Sequence, residues 1–292
     1  MKKYILLSLF LLSIIINSII FANGDLNKIS KIINFDNDLI GDASLTNDNK
    51  LFFLNLSNSN GHGQWVEWQK NGKTIKRIMN ASGCKISPDG KYYSYLDLQD
   101  YKINIIDADD DEKINTFSTK RGANVQWTSD SKNLIIETSD NLTKIYKFNI
   151  STGVTEKILE SEIFFSATTV INNNILYLLK DKTPDAPDSD CDIVRYNLLT
   201  KKFEVISFPF IKDLWIFDYF TVSPDEKIIV FQNCSLKDSA MYIISMDTLK
   251  VIDKIKLKGN VLLSGSSWSH DSSHFIFTAT MKEIYKYTIP KY

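Results

Sequence analysis

The sequence predicts an all-β chain folded as a six-bladed β-propeller: six four-stranded antiparallel blades in a ring, closed by an N-terminal strand that joins the last blade. Three observations carry this. A turn motif recurs six times, a β-rich run in constant order follows each copy, and the final repeat is one strand short while an unpaired strand precedes the first. The propeller so defined spans residues 23–292, and residues 1–22 form a leader.

Ser87-Pro88-Asp89-Gly90-Lys91 is the fullest copy of the turn. Its relatives are Thr46-Asn47-Asp48-Asn49-Lys50, Thr128-Ser129-Asp130-Ser131-Lys132, the degraded Ile171-Asn172-Asn173-Asn174, Ser223-Pro224-Asp225-Glu226-Lys227 and Ser269-His270-Asp271-Ser272-Ser273. From marker to marker, at 48, 89, 130, 173, 225 and 271, the steps are 41, 41, 43, 52 and 46 residues, room for four strands and their turns. Pro presets φ for a type I turn, Asp bonds neighbouring backbone and Gly takes the left-handed position. Asn49 and Asn174 tolerate that conformation, whereas Glu226 should cost about 1 kcal/mol there.

In the second unit, strands are expected over 91–96, 103–106 and 113–117, before 123–128 opens the next. We name the four strands of a unit A to D, A leading into the turn. Trp127 and Trp268 share a place with Leu45, Ile86 and Val222 just ahead of the turn, where a large apolar residue packs between adjacent sheets. The last unit offers strands over 262–268, 275–280 and 284–289 and then reaches Tyr292. Residues 28–34 resemble the other D strands, such as 251–256, and pairing them with the last unit removes an open edge.

The leader begins with Lys2 and Lys3, runs apolar from Tyr4 to Phe21 and ends at the small residue Ala22. That pattern is a secretory signal peptide or, at about 18 residues, an uncleaved anchor; both place the folded part in the periplasm or outside the cell. Membrane contact is expected only through this segment. Lys plus Arg number 34 and Asp plus Glu 35, so no excess charge attracts a polyanion and nucleic-acid binding is disfavoured. Cys84, Cys191 and Cys234 are odd in number and widely spaced, which excludes a disulfide framework and a local metal motif.

The turn motif and its spacing resemble those of TolB-type propellers and, more distantly, WD-repeat propellers, over nearly the whole mature chain. The resemblance implies the fold. TolB-type proteins carry a further α/β domain before the propeller, for which residues 23–27 leave no room, and no Trp-Asp pair closes the units as in WD repeats.

Uneven loops fall on the face of the B-to-C and D-to-A connections: 57–63, 181–189, 234–239 and the connector holding Phe208, Pro209, Phe210 and Trp215. His62, Trp65, Phe210, Trp215, Asp185 and Asp188 are the candidate partner-binding residues, and the expected partner is a protein or another envelope component. Within Asp185 to Asp192, the carboxylates at 188, 190 and 192 alternate as the first ligands of a calcium loop do, but Ile193 replaces the required Gly and Leu199 the bidentate Glu. A solvated acidic loop is the plainer reading, and calcium is the one cofactor left open. His62, His270 and His274 form no paired metal motif, and no nucleophile elbow or phosphate loop is present, so no catalytic or metal residues are assigned. The favoured function is a non-catalytic binding module. The alternative is a lactonase-like enzyme or cation-dependent small-ligand binder, using Asp42, Asn124 and Asp218 on innermost strands around the channel.

Overall fold

Runs such as Leu51-Phe52-Phe53-Leu54 and Ile103 to Ile106 are apolar on both faces, as strands packed between two neighbouring sheets must be. The computed structural model describes residues 28–34, 39–56, 62–68, 73–79, 81–120, 122–139, 142–163, 165–171, 174–181, 191–206, 216–233, 240–256, 263–279 and 283–290. Every described regular element is a strand.

After β1 (Ile29–Asn34), blade 1 holds β2 (Leu39–Leu45), β3 (Leu51–Leu56), β4 (His62–Trp68) and β5 (Lys73–Met79). Blade 2 is β6 (Ala81–Ile86), β7 (Tyr92–Asp97), β8 (Lys102–Asp107) and β9 (Lys113–Ser118). Blade 3 is β10 (Ala123–Trp127), β11 (Asn133–Ser139), β12 (Thr143–Asn149) and β13 (Thr155–Ser161). Blade 4 is β14 (Phe165–Ile171), β15 (Ile175–Asp181), β16 (Cys191–Asn197) and β17 (Lys202–Ile206). Blade 5 is β18 (Ile216–Val222), β19 (Ile228–Asn233), β20 (Ala240–Ser245) and β21 (Val251–Lys256). Blade 6 is β22 (Leu263–Trp268), β23 (His274–Ala279) and β24 (Glu283–Thr288), completed by β1.

All six sheets are antiparallel and four-stranded, and the last has the order β1-β24-β23-β22. β1 lies on β24 with Ile29 opposite Tyr287 and Asn34 opposite Glu283. The ring is therefore closed by the leading strand, as expected. The innermost strands β2, β6, β10, β14, β18 and β22 each meet the next around the axis. Burial falls outward: β8 and β20 are buried along their length, whereas β9 and β17 are largely exposed.

Apolar packing divides into six clusters, one per interface between blades. Blades 2 and 3 share Leu96, Ile105, Val125 and Ile136, and blades 6 and 1 share Ile33, Ile276, Ile40 and Phe53. Cys84 is buried between blades 1 and 2.

One expectation needs correction. The B-to-C loop of blade 1 is shorter than 57–63, because the ladder continues through Gly63 opposite Leu56 and places His62 and Gly63 in β4. The six turns are of two lengths. Four residues separate the paired ends in blades 2, 3, 5 and 6, as between Ser87 and Tyr92, but three in blade 1, between Thr46 and Lys50, and in blade 4, between Ile171 and Ile175. The degraded copy is thus one residue short as well as lacking Asp.

Candidate functional site

The repeated turn is a small polar module. Ser87 Oγ donates to the Asp89 carboxylate at 2.7 Å and accepts the Tyr92 N–H at 2.9 Å, while Asp89 accepts the Lys91 N–H at 3.1 Å. Thr128 with Asp130 and Ser223 with Asp225 repeat the pattern. The left-handed position is filled as read from the sequence, by Asn49, Gly90, Ser131, Glu226 and Ser272, all at φ between 58° and 77°. Neighbouring turns are also joined: the Asn47 N–H donates to Pro88 O, the Asp89 N–H to Ser131 Oγ and the Asp225 N–H to Ser272 Oγ.

These turns surround the axis. Ahead of each, a polar residue precedes an apolar one, so Ser44, Lys85, Gln126, Thr221 and Ser267 alternate with Leu45, Ile86, Trp127, Val222 and Trp268. Both rows line an axial cavity of about 290 Å³ that opens at the turn face, with Pro88, Pro224 and His270 among the rim residues. Among the described residues that line it, Lys85 and His270 are the ionisable ones. The Trp127 indole N–H donates to Lys85 O of the preceding blade at 3.2 Å. In blade 6 the Trp268 N–H is buried with no acceptor. Both tryptophans are core residues, as expected, but they also wall this cavity.

Further along the channel, the A strands of five blades carry register shifts, at Ile40/Ala43, Ser82/Lys85, Ser166/Thr169, Ile216/Phe220 and Ser264/Ser266. Bulges of this kind re-aim side chains. Asp42 and Asp218 lie within two of them, and Asn124 is exposed on the regular β10. Glu137, opposite Asn124 and buried, drew no attention in the sequence because nothing in its surroundings there marks it. Among the described residues no group of three or more His, Cys, Asp or Glu is placed to hold a metal.

Among the described residues, two partly buried carboxylates bridge blades. Glu226 accepts from Tyr177 Oη at 2.7 Å and Arg195 Nε at 2.8 Å, tying the fifth turn to blade 4. Burial opposes its ionisation, but the Arg195 and Tyr177 hydrogen bonds outweigh this and hold its carboxyl below the ordinary range. Asp253 accepts from Tyr287 Oη at 2.7 Å and Lys28 Nζ at 3.1 Å, tying blade 5 to the closing strand, and its carboxyl is lowered against burial in the same way. Between blades 5 and 6 a second cavity, of about 550 Å³, sets Asp225, Asp247 and Asp271 around Ile228, Ile252 and Ile289. Hydrogen bonds from Ser269 and Ser273 keep the Asp271 carboxyl well below its usual range.

Of the candidate binding residues, His62 opens β4 and Trp65 lies within it opposite Leu54. Phe210, Trp215, Asp185 and Asp188 lie outside the described residues, as does the leader. No described helix is long and apolar enough to cross a membrane.

No protein-family model matches the chain, and no curated protein matches it. Solved structures do. TolB from Acinetobacter baumannii matches at 15% identity and TM-score 0.62 over 76% of this chain, which spans 55% of TolB. The C-terminal WD40 domain of Sif2 matches at 10% identity and TM-score 0.55, over 90% of this chain and 99% of that one. An oligogalacturonate lyase from Vibrio parahaemolyticus matches at 13% identity and TM-score 0.60, over 90% and 97%. With 1512 chains matching, the arrangement is a common one, and at these identities the likeness establishes a TolB-like and WD-repeat-like propeller fold alone.

Proposed function

We propose that this is an exported, non-catalytic propeller that binds a protein or another envelope component through the face of its B-to-C and D-to-A connections. One observation carries the reading. Connections on the opposite face are three to five residues long, and the repeated turns of blades 2, 3, 5 and 6 are held by their own hydrogen bonds, whereas connections on this face run from a single residue at 80 to nine at 182–190 and 207–215. Unequal loops on a regular scaffold are where recognition concentrates. His62, Trp65, Asp185, Asp188, Phe210 and Trp215 belong to these loops and their flanking strands. Export rests on Lys2, Lys3 and the apolar run to Phe21.

Affinity capture from the native cell envelope tests this, using the full chain and a variant with 182–190 cut to three residues and both Phe210 and Trp215 changed to Ser. A partner held by the first and lost by the second is expected. Capture that ignores these changes would overturn the reading. The second reading, a cation-dependent binder of a small ligand, draws on Asp42 and Asp218 lying in bulges of the innermost strands. A stoichiometric metal after mild purification, with melting lowered by chelator, would favour it instead.

A further inference from the structure

We propose that two copies of this chain associate edge to edge through β17, the outer strand of blade 4. Four of its five residues are exposed, and among the described residues the strand pairs only with β16. Phe203 is 44% exposed and Val205 51%, both on the face that meets Tyr196 and Val194 of β16. The exposed Leu199 of the preceding turn and Val154 of the matching turn in blade 3 extend this apolar surface, the two turns being linked where Lys201 Nζ reaches Glu156 at 3.5 Å. A strand edge that carries apolar side chains into solvent is a template for another strand.

The order of charges identifies the occupant. When an edge pairs antiparallel with its own copy about a two-fold axis, one residue must face itself, and its two neighbours then face each other. Centring on Lys202 or Glu204 sets like charges opposite one another, which is unfavourable, and centring on Val205 gives neither charge an opposite. Centring on Phe203 sets Lys202 of each copy against Glu204 of the other, twice. On the other face of the ribbon, Phe203 then meets Phe203 and lies diagonal to Val205 of the second copy. Of the six outer strands, β1, β5, β9, β13, β17 and β21, β17 alone has opposite charges two residues apart, so only this edge complements itself in charge. Glu204 lies 3.9 Å from Arg195 Nη1 with its side chain 71% exposed, open to a second cation. So short a ladder falls at the low end of interface size, and the dimer is a weak one. This surface is on the circumference of the ring and does not rest on the loop-face reading.

The test is sedimentation equilibrium of the full chain from micromolar to millimolar concentration, for wild type, Lys202→Glu, Glu204→Lys, an equimolar mixture of these two variants, and Lys113→Glu on the outer strand of blade 2. Expected is a monomer that becomes a dimer as concentration rises. Lys202→Glu and Glu204→Lys should each associate about tenfold more weakly, because like charges then face each other twice. Their mixture should associate at least as well as wild type, since the acidic edge of one meets the basic edge of the other, and this recovery would show that both variants are folded. Lys113→Glu should leave association unchanged. A wild type that stays monomeric at millimolar concentration, a Lys202→Glu dimer as tight as wild type, a mixture that associates no better than its components, or equal weakening by Lys113→Glu would overturn the proposal.

Discussion

Glu226 shows how one residue can offset a backbone penalty. At φ 58° it occupies a position where Gly is at ease, and the cost of about 1 kcal/mol is set against charge-assisted bonds from Arg195 and Tyr177. Glu226→Ala keeps the strain and loses the bonds, whereas Glu226→Gly loses both. We expect denaturant midpoints to rank wild type above Gly above Ala, with Gly and Ala about 1 kcal/mol apart. The pH dependence has a definite sign. The Glu226 and Asp253 carboxyls are lowered in the folded chain, from ordinary values of 4.5 and 3.8, so their stabilisation is complete above those values and is lost as pH falls through the lowered ones. The stability difference between wild type and Glu226→Gln should therefore be largest near neutrality and shrink below about pH 4.5, as urea titrations at pH 7, 5 and 3 would show. The left-handed position was legible in the sequence because turn chemistry is local. The partners of Glu226 were not, since Tyr177 and Arg195 come from another blade, 49 and 31 residues away.

Among the elements, β1 has the largest consequence. It supplies the outer strand of blade 6, and the Thr288 N–H donates to Lys28 O where β24 hands over to it. Deleting 28–34 should expose the edge of β24 and give an aggregating product, measured by light scattering. Because Ile29 lies opposite Tyr287, the same seven residues moved behind Thr288 through the turn Ile150 to Gly153 should restore a monodisperse fold. An unaltered, soluble deletion variant would show that the strand is dispensable. This element could be found from sequence because a missing fourth strand and an unpaired first one are complementary faults in a repeat. The lengths of the individual turns could not, since Thr46-Asn47-Asp48-Asn49-Lys50 and Ser87-Pro88-Asp89-Gly90-Lys91 match residue for residue and differ only in which residues pair across them.

At the scale of the whole molecule, the apolar packing of the described residues falls into six clusters each shared by two blades. A blade that unfolds strips apolar cover from both neighbours, so the ring should lose structure in one step. Leu178→Ala, at a fully buried site between blades 3 and 4, should cost about 2–5 kcal/mol while far- and near-ultraviolet circular dichroism still trace a single coincident transition. Separate transitions would mean that the blades are less interdependent than their shared packing implies.

The sequence by itself determined the number of blades, the order of strands within them, the left-handed turn position and the closing strand. All four follow from periodicity and local backbone chemistry, which act between residues near in the chain or repeated along it. Only the tertiary structure decided that Trp268 lacks the acceptor Trp127 has, that Glu226 meets Arg195, and that the residues ahead of five turns converge on one cavity. Those facts depend on distances between residues of different blades, set by the curvature of the ring, and no local pattern in the chain encodes them.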